Sequence, residues 1–83
     1  MYYVYFLKRK DGKTYKGSTA NLKRRIEEHN RGKVKSTKYH RPLKLIGYEA
    51  YIIKSDAERR ERFLKKTEGR RLLKQQCRDI LKL

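Results

Sequence analysis

Four side chains in this sequence are of the types that polar chemistry uses, and they sit in otherwise apolar patterns. Tyr5 and Tyr15 fall in two short segments rich in aromatic and aliphatic residues, Arg25 lies inside an amphipathic helical pattern, and Glu61 shares the apolar side of a later one. A carboxylate among core-facing positions is costly unless a cation, a donor or a proton compensates it, so Glu61 in particular asks for a partner. Two phenols can hold or pass protons, and a guanidinium grips paired anionic oxygens through its planar fork. One carboxylate is enough to hold a hard divalent ion that keeps several of its waters. Such a set suits displacement at a phosphate ester, where an activated water, neutralised non-bridging oxygens and a supported leaving oxygen each need a different group.

The charge of the whole chain agrees with an anionic partner. Lysine and arginine number 25 against 9 acids, for a net charge of +16. That excess goes far beyond what solubility needs and points to a polyanion, with DNA first and RNA possible. The apolar segments are too short to span a bilayer and no secretory signal pattern opens the chain, so no membrane role is expected. The lone Cys77 has no partner for an internal disulfide, and neither a CxxC pair nor a Cys/His cluster suggests zinc. A reduced, cytoplasmic setting is expected. Cys77 follows Leu73 by four and precedes Ile80 by three, which gives it the place of a small apolar residue on a helix. At 83 residues the chain suits one domain, 1–83, with a modest core.

Positioning two tyrosines together requires a particular hairpin. Tyr2 to Leu7 is an unbroken apolar run, short enough for a strand covered on both faces and so expected at the centre of a sheet. Asp11-Gly12 marks a turn, with Thr14 to Gly17 returning. A two-residue Asp11-Gly12 loop would pair Leu7 with Lys16 and send Tyr5 and Tyr15 to opposite faces. A three-residue loop of Lys10, Asp11 and Gly12, with Gly12 left-handed in a G1 bulge, pairs Leu7 with Tyr15 and Tyr5 with Gly17 instead. The second register puts both tyrosines on one face and leaves space at Gly17 beside Tyr5. It is the expected one.

Ser18 or Thr19 is placed to cap a helix from about Ala20 to Asn30, with Gly32 as its stop signal. Leu22 and Ile26 form the inner stripe, while Arg25 and His29, four apart, stack along its border. Lys33, Lys35, Lys38, Tyr39, His40 and Arg41 then make a basic loop or short helix, ended by Pro42. Its cations suit sugar-phosphate contacts and Tyr39 suits stacking on an exposed base.

Leu43 to Ile53 reads as a third strand interrupted near Gly47. Ser55-Asp56-Ala57-Glu58 is a capping box, predicting a helix that begins at Asp56. On that helix Ala57, Glu61 and Leu64 fall within an arc of about sixty degrees, while Arg59 and Arg62 point away. Leu72, Leu73, Cys77, Ile80 and Leu81 predict a last amphipathic helix over about 69–82. The expected fold class is α/β (α+β): a small, mainly antiparallel three-stranded sheet flanked by helices, in the order β-β-α-β-α-α.

At these residues the chain resembles the GIY-YIG endonuclease family, over about residues 3–65. Tyr3-Val4-Tyr5 stands at the family's GIY and Tyr15-Lys16-Gly17 at its YIG, with Arg25 eight residues after Gly17 and His29 four further on. Ala57-x-x-x-Glu61-x-x-Leu64-Lys65 is similar to its acidic helix. Tyr3 replaces the first glycine and Lys16 the middle isoleucine, whereas both tyrosines, Gly17, the arginine and the glutamate are present. The small stand-alone members and the amino-terminal nuclease domain of UvrC-type repair proteins are similar in layout.

The resemblance implies metal-dependent hydrolysis or nicking of DNA phosphodiester bonds, in repair or recombination. One Mg²⁺ or Mn²⁺ would be held by Glu61. A phenol beside a metal and an arginine gives up its proton more readily than in water, which makes Tyr15 the preferred group for activating water. Tyr5 would position water or phosphate, and Arg25 would grip non-bridging oxygens. His29 would relay a proton or touch phosphate, or else serve only as a dipole partner at the helix end. Two rivals share the basic surface: a non-catalytic DNA- or RNA-binding module, and an accessory subunit of a repair complex. Glu61 separates the first from the nuclease, because an acid facing bound phosphates helps only when a metal stands between them.

Overall fold

The computed structural model describes Met1–Leu83. Its first two strands, β1 (Tyr2–Lys8) and β2 (Thr14–Thr19), form the expected hairpin. Leu7 pairs with Tyr15 and Tyr5 with Gly17. The Gly12 amide donates to the Arg9 carbonyl, the Arg9 amide to that of Lys13, and Gly12 has φ +85°. This is a type I turn closed by a left-handed residue, the conformation glycine adopts without strain.

The sheet order is β2-β1-β3, all antiparallel, with β1 in the centre and β3 spanning Lys44–Tyr51. The interruption expected near Gly47 is a bulge. Phe6 pairs with Gly47 and Leu7 with Leu45, so Ile46 is the extra residue. Alternation along β1 feeds two small cores. Val4 and Phe6 pack with Ala57, Leu64 and Leu73 on one face, while Tyr5 and Leu7 pack with Leu43, Leu22 and Ile26 on the other.

Helix α1 spans Leu22–Asn30, and its cap is Asn21, whose side chain accepts from the Arg24 amide. Ser18 and Thr19 do not cap it, because both are paired in β2 with Val4 and Tyr3. At the other end Lys33 donates to the Glu28 carbonyl and left-handed Gly32 to that of His29, which is a Schellman stop. The basic segment after it is a series of turns pinned by buried Val34 and Thr37.

Helix α2 covers Lys54–Leu64 and, unlike α1, starts before its expected cap. The Ile53 carbonyl accepts from Asp56 and Ala57, so Ser55 is already inside the helix and the Ser55–Glu58 capping box does not form. Ala57 and Leu64 are buried as expected. Arg60 forks onto Glu49, which also accepts from the Tyr51 hydroxyl, tying α2 to β3. The expected last helix is divided into α3 (Thr67–Gln76) and a short α4 (Arg78–Leu81) at Cys77, whose φ −105° and ψ 20° leave the helical path. Gly69 lets α3 press against the end of α2: a Cβ there would lie 2.0 Å from the Phe63 carbonyl oxygen.

Candidate active site

Strand register brings Tyr5, Tyr15 and His29 into one aromatic group. The Tyr5 ring lies 6.3 Å from that of Tyr15 and 5.6 Å from that of His29, and Tyr15 and His29 are 5.1 Å apart. Gly17, opposite Tyr5, makes this possible. A Cβ built there would meet the Tyr5 hydroxyl at 2.4 Å, so the phenol crosses β2 only because that residue has no side chain.

Around the Tyr5 hydroxyl the donors and acceptors form a directed chain. Arg25 Nε can only donate, and it reaches the Tyr5 oxygen at 3.4 Å. Tyr5 then gives its own proton to His29 Nε2 at 2.8 Å. His29 Nδ1 is left as the protonated nitrogen and donates to Thr37 Oγ1 at 2.7 Å. The Thr37 hydroxyl is aimed at the Val34 carbonyl, 3.5 Å away. His29 and Thr37 are both completely buried. The histidine is thus a member of the core network, not a border residue of α1.

Burial fixes the protonation of this pair. It pushes the Tyr5 phenol up to about 12, against the hydrogen bond from Arg25, with Tyr15 and Glu61 adding smaller upward pushes. Burial, with the Arg25 charge beside it, pushes the His29 imidazole down to about 4. Both are neutral near pH 7. A neutral imidazole cannot act as a cation on the α1 dipole. Arg25 keeps a partly exposed guanidinium whose Nη1 bonds Glu28 Oε1 at 3.2 Å.

Glu61 is anchored one residue beyond Gly17. Ser18 Oγ donates to its Oε1 at 2.5 Å, and Lys65 Nζ to its Oε2 at 2.8 Å. Its side chain is one-fifth exposed, so it is neither sealed in the core nor swung out into solvent. Its charge is felt at the Tyr5 phenol. Neither Ser18 nor Thr37 stood out in the sequence. Ser18 read as a helix cap, and Thr37 lay in a segment without apolar periodicity.

The residues expected to touch nucleic acid lie on the turns after α1. Lys33, Lys35, Lys38 and Arg41 are exposed, and Tyr39 is 81% exposed with Lys38 Nζ 5.1 Å from its ring centre. His40 is partly buried against the first hairpin, where its Nδ1 meets Arg9 Nη2 at 3.0 Å. No helix is long and apolar enough to cross a membrane.

The model of the GIY-YIG catalytic domain matches residues 1–75. The chain belongs to the GIY-YIG family. This is a family of nuclease-type hydrolases, so Tyr3-Val4-Tyr5 and Tyr15-Lys16-Gly17 are its name-giving segments in altered form. Relatives include the UPF0213 protein of Clostridium perfringens (strain 13), 45% identical over 67 residues covering 80% of this chain and 72% of that one. The UPF0213 protein of Staphylococcus haemolyticus is 48% identical over 61 residues, covering 72% of this chain and 74% of that one. The UPF0213 protein of Bacillus halodurans, whose structure was determined by solution NMR, matches with a TM-score of 0.56 at 36% identity. That match covers 88% of this chain and 82% of that one.

The donor set at Glu61 suits one kind of metal. No group of three or more His, Cys, Asp or Glu side chains is gathered anywhere. A zinc site has too few ligands here. A single carboxylate with an adjacent hydroxyl fits a hard ion that keeps most of its waters and takes the rest of its shell from a substrate phosphate.

Proposed function

We propose that this GIY-YIG protein is a metal-dependent endonuclease that hydrolyses or nicks DNA phosphodiester bonds. The observation that carries the reading is the clearance at Gly17, which admits the Tyr5 hydroxyl to a buried network with Arg25 and His29. A strand aromatic serving only to pack would not need a glycine opposite its polar end.

Within that reading each side chain has a separate task. Glu61, held by Ser18, would carry one Mg²⁺ or Mn²⁺, which when bound would supply Lewis-acid neutralisation at the scissile phosphate. Arg25 offers its partly exposed guanidinium to the non-bridging oxygens. Tyr15, once its phenol has released its own proton to solvent beside Arg25 and a bound cation, would accept the proton of the attacking water as the phenolate. Tyr5 stays protonated near neutral pH, so it orients Arg25 by accepting from its Nε, gives its one proton to His29, and does not act as the base. His29 fixes the direction of the Tyr5 proton from behind and is a positioning residue. The exposed turn with Lys33, Lys35, Lys38, Tyr39, His40 and Arg41 steadies the flanking strand.

The test is incubation of supercoiled plasmid with Mg²⁺ or Mn²⁺ and the wild-type protein, beside Glu61→Ala, Arg25→Ala and Tyr15→Phe. Nicking by the wild type that each substitution strongly reduces is expected. Nicking that survives all three would place the chemistry elsewhere.

A further inference from the structure

Side chains alternate along β2, so Lys16 points away from Tyr15 and Gly17. It stands opposite Phe6, on the face that α2 and α3 cover. Lys16 is only 8% exposed, yet it takes part in no ion pair. Burial, with the charges of Arg70, Lys65 and Lys74 beside it, holds its ammonium below the usual lysine range. A partly desolvated cation beside other cations is unfavourable in the free protein, and an anion that joins it offsets that cost.

Lys16 opens into a cleft of about 640 Å³ between the hairpin turn and the α3–α4 segment. Lys13, Arg70, Lys74, Arg78 and Lys82 line the same cleft, and no acidic side chain does. None of these five forms an ion pair, although Arg9, which also lines the cleft, is engaged by Asp11. A basic hollow along α2 is different. It contains Asp56, and its Arg59 and Arg60 are engaged by Asp56 and Glu49. Of these two hollows, the α3–α4 cleft therefore holds more charge that is free to meet an outside anion.

Lys65 connects this cleft to the candidate active site. Its Nζ bonds Glu61, and its charge is among those that depress Lys16. Arg70 and Lys74, one helical turn apart, repeat the charge at a spacing of about 6 Å along α3. A row of cations suits an extended polyanion better than one small phosphate.

We propose that the α3–α4 cleft holds the phosphodiester backbone of the nucleic-acid strand that occupies the candidate active site, with the Lys16 ammonium meeting a phosphate at the cleft floor. The assignment rests on the reading of that site as one that engages nucleic acid.

The full chain, without metal, is titrated against a fluorescein-labelled DNA duplex by anisotropy at several salt concentrations. Each phosphate contact removed lowers the slope of log K against log salt by about 0.9. Lys16→Met is expected to lower the slope by about 1, and Arg70→Gln/Lys74→Gln/Arg78→Gln by about 2 to 3. The control Arg59→Gln/Arg62→Gln/Lys66→Gln removes equal charge from the α2 hollow and is expected to change the slope by less than about 1. Equal losses in the cleft and control triples overturn the proposal. So does competition by inorganic tripolyphosphate as strong, molecule for molecule, as by unlabelled duplex, since that would make the cleft a small-anion site. Lys16→Met is also expected to melt above the wild type, because its buried charge is gone. A lower melting temperature would show that the fold itself uses the ammonium, and would overturn the proposal too. Cleavage is not read in this experiment, so an inactive protein would leave its outcome unchanged, and loss of the cleft assignment would leave the Glu61 chemistry standing.

Discussion

Gly17 and Tyr5 face each other across the β1–β2 pair, and the Tyr5 hydroxyl lies 2.4 Å from where a Cβ on Gly17 would be. Gly17→Ala must therefore move a buried ring whose hydroxyl is bonded to His29 and Arg25. Overpacking of this kind costs about 1–3 kcal/mol. The expected result is a melting temperature lower by about 4 °C or more, together with loss of nicking. An alanine variant with wild-type stability and activity would show that the phenol has room to move.

The neutral His29 makes stability depend on pH. Its folded value of about 4 lies below the ordinary 6.5, so between those values the unfolded chain binds the proton and the folded chain does not. The contribution is fully present above pH 6.5 and is lost as pH falls toward 4, up to about 3 kcal/mol. Urea unfolding from pH 7 to pH 4 should show this loss, and His29→Gln should flatten it. An equally steep loss in the variant would assign the effect to carboxylates.

The hairpin was legible from the residues because Asp11-Gly12 leaves two registers, and only one puts Tyr5 and Tyr15 together. Helix ends were less legible. Ser18 has a good capping side chain, but sheet pairing holds it in β2, and Asn21 takes the role. Ser55-Asp56-Ala57-Glu58 has the form of a capping box, yet the Ile53 carbonyl already accepts the first helical amides. Local capping preferences of about 1 kcal/mol do not decide boundaries set by packing. In the candidate site, Tyr5, Tyr15, Arg25 and Glu61 stood out by type and place. Thr37 and Ser18 did not, since a short hydroxyl side chain matters only through what a distant element brings to it. Lys16 stood in the sequence as a departure from an aliphatic pattern, and only the cleft around it gives that departure a use.

Lys65 should compete with a cation for Glu61. The two side chains meet at 2.8 Å with Lys65 half exposed, and such pairs contribute roughly 0.2–1 kcal/mol. Lys65→Gln is expected to tighten Mn²⁺ binding by about 1.4- to five-fold, the equivalent of that energy. Titration calorimetry in the absence of DNA reads it directly. Unchanged affinity in Lys65→Gln, with Glu61→Gln also unchanged, would place the ion away from Glu61.

High pH tests the other half of the buried pair. Tyr5 keeps its proton up to about 12, whereas an unfolded tyrosine loses it near the ordinary 10.0. Stability from this group is complete below pH 10 and falls as pH rises toward 12. Ultraviolet difference titration should show one phenol ionising late in the wild type, and that late component should vanish in Tyr5→Phe. Its persistence in the variant would assign the late ionisation to another tyrosine.

For the proposed cleavage, Glu61 must carry the metal while Ser18 holds the carboxylate in place. Single-turnover cleavage of a labelled DNA duplex in saturating Mg²⁺, comparing wild type with Glu61→Gln, tests this directly. A rate lower by about a hundred-fold or more in Glu61→Gln is expected, with metal-free DNA affinity no weaker than that of the wild type. Equal cleavage rates in the two proteins would contradict it.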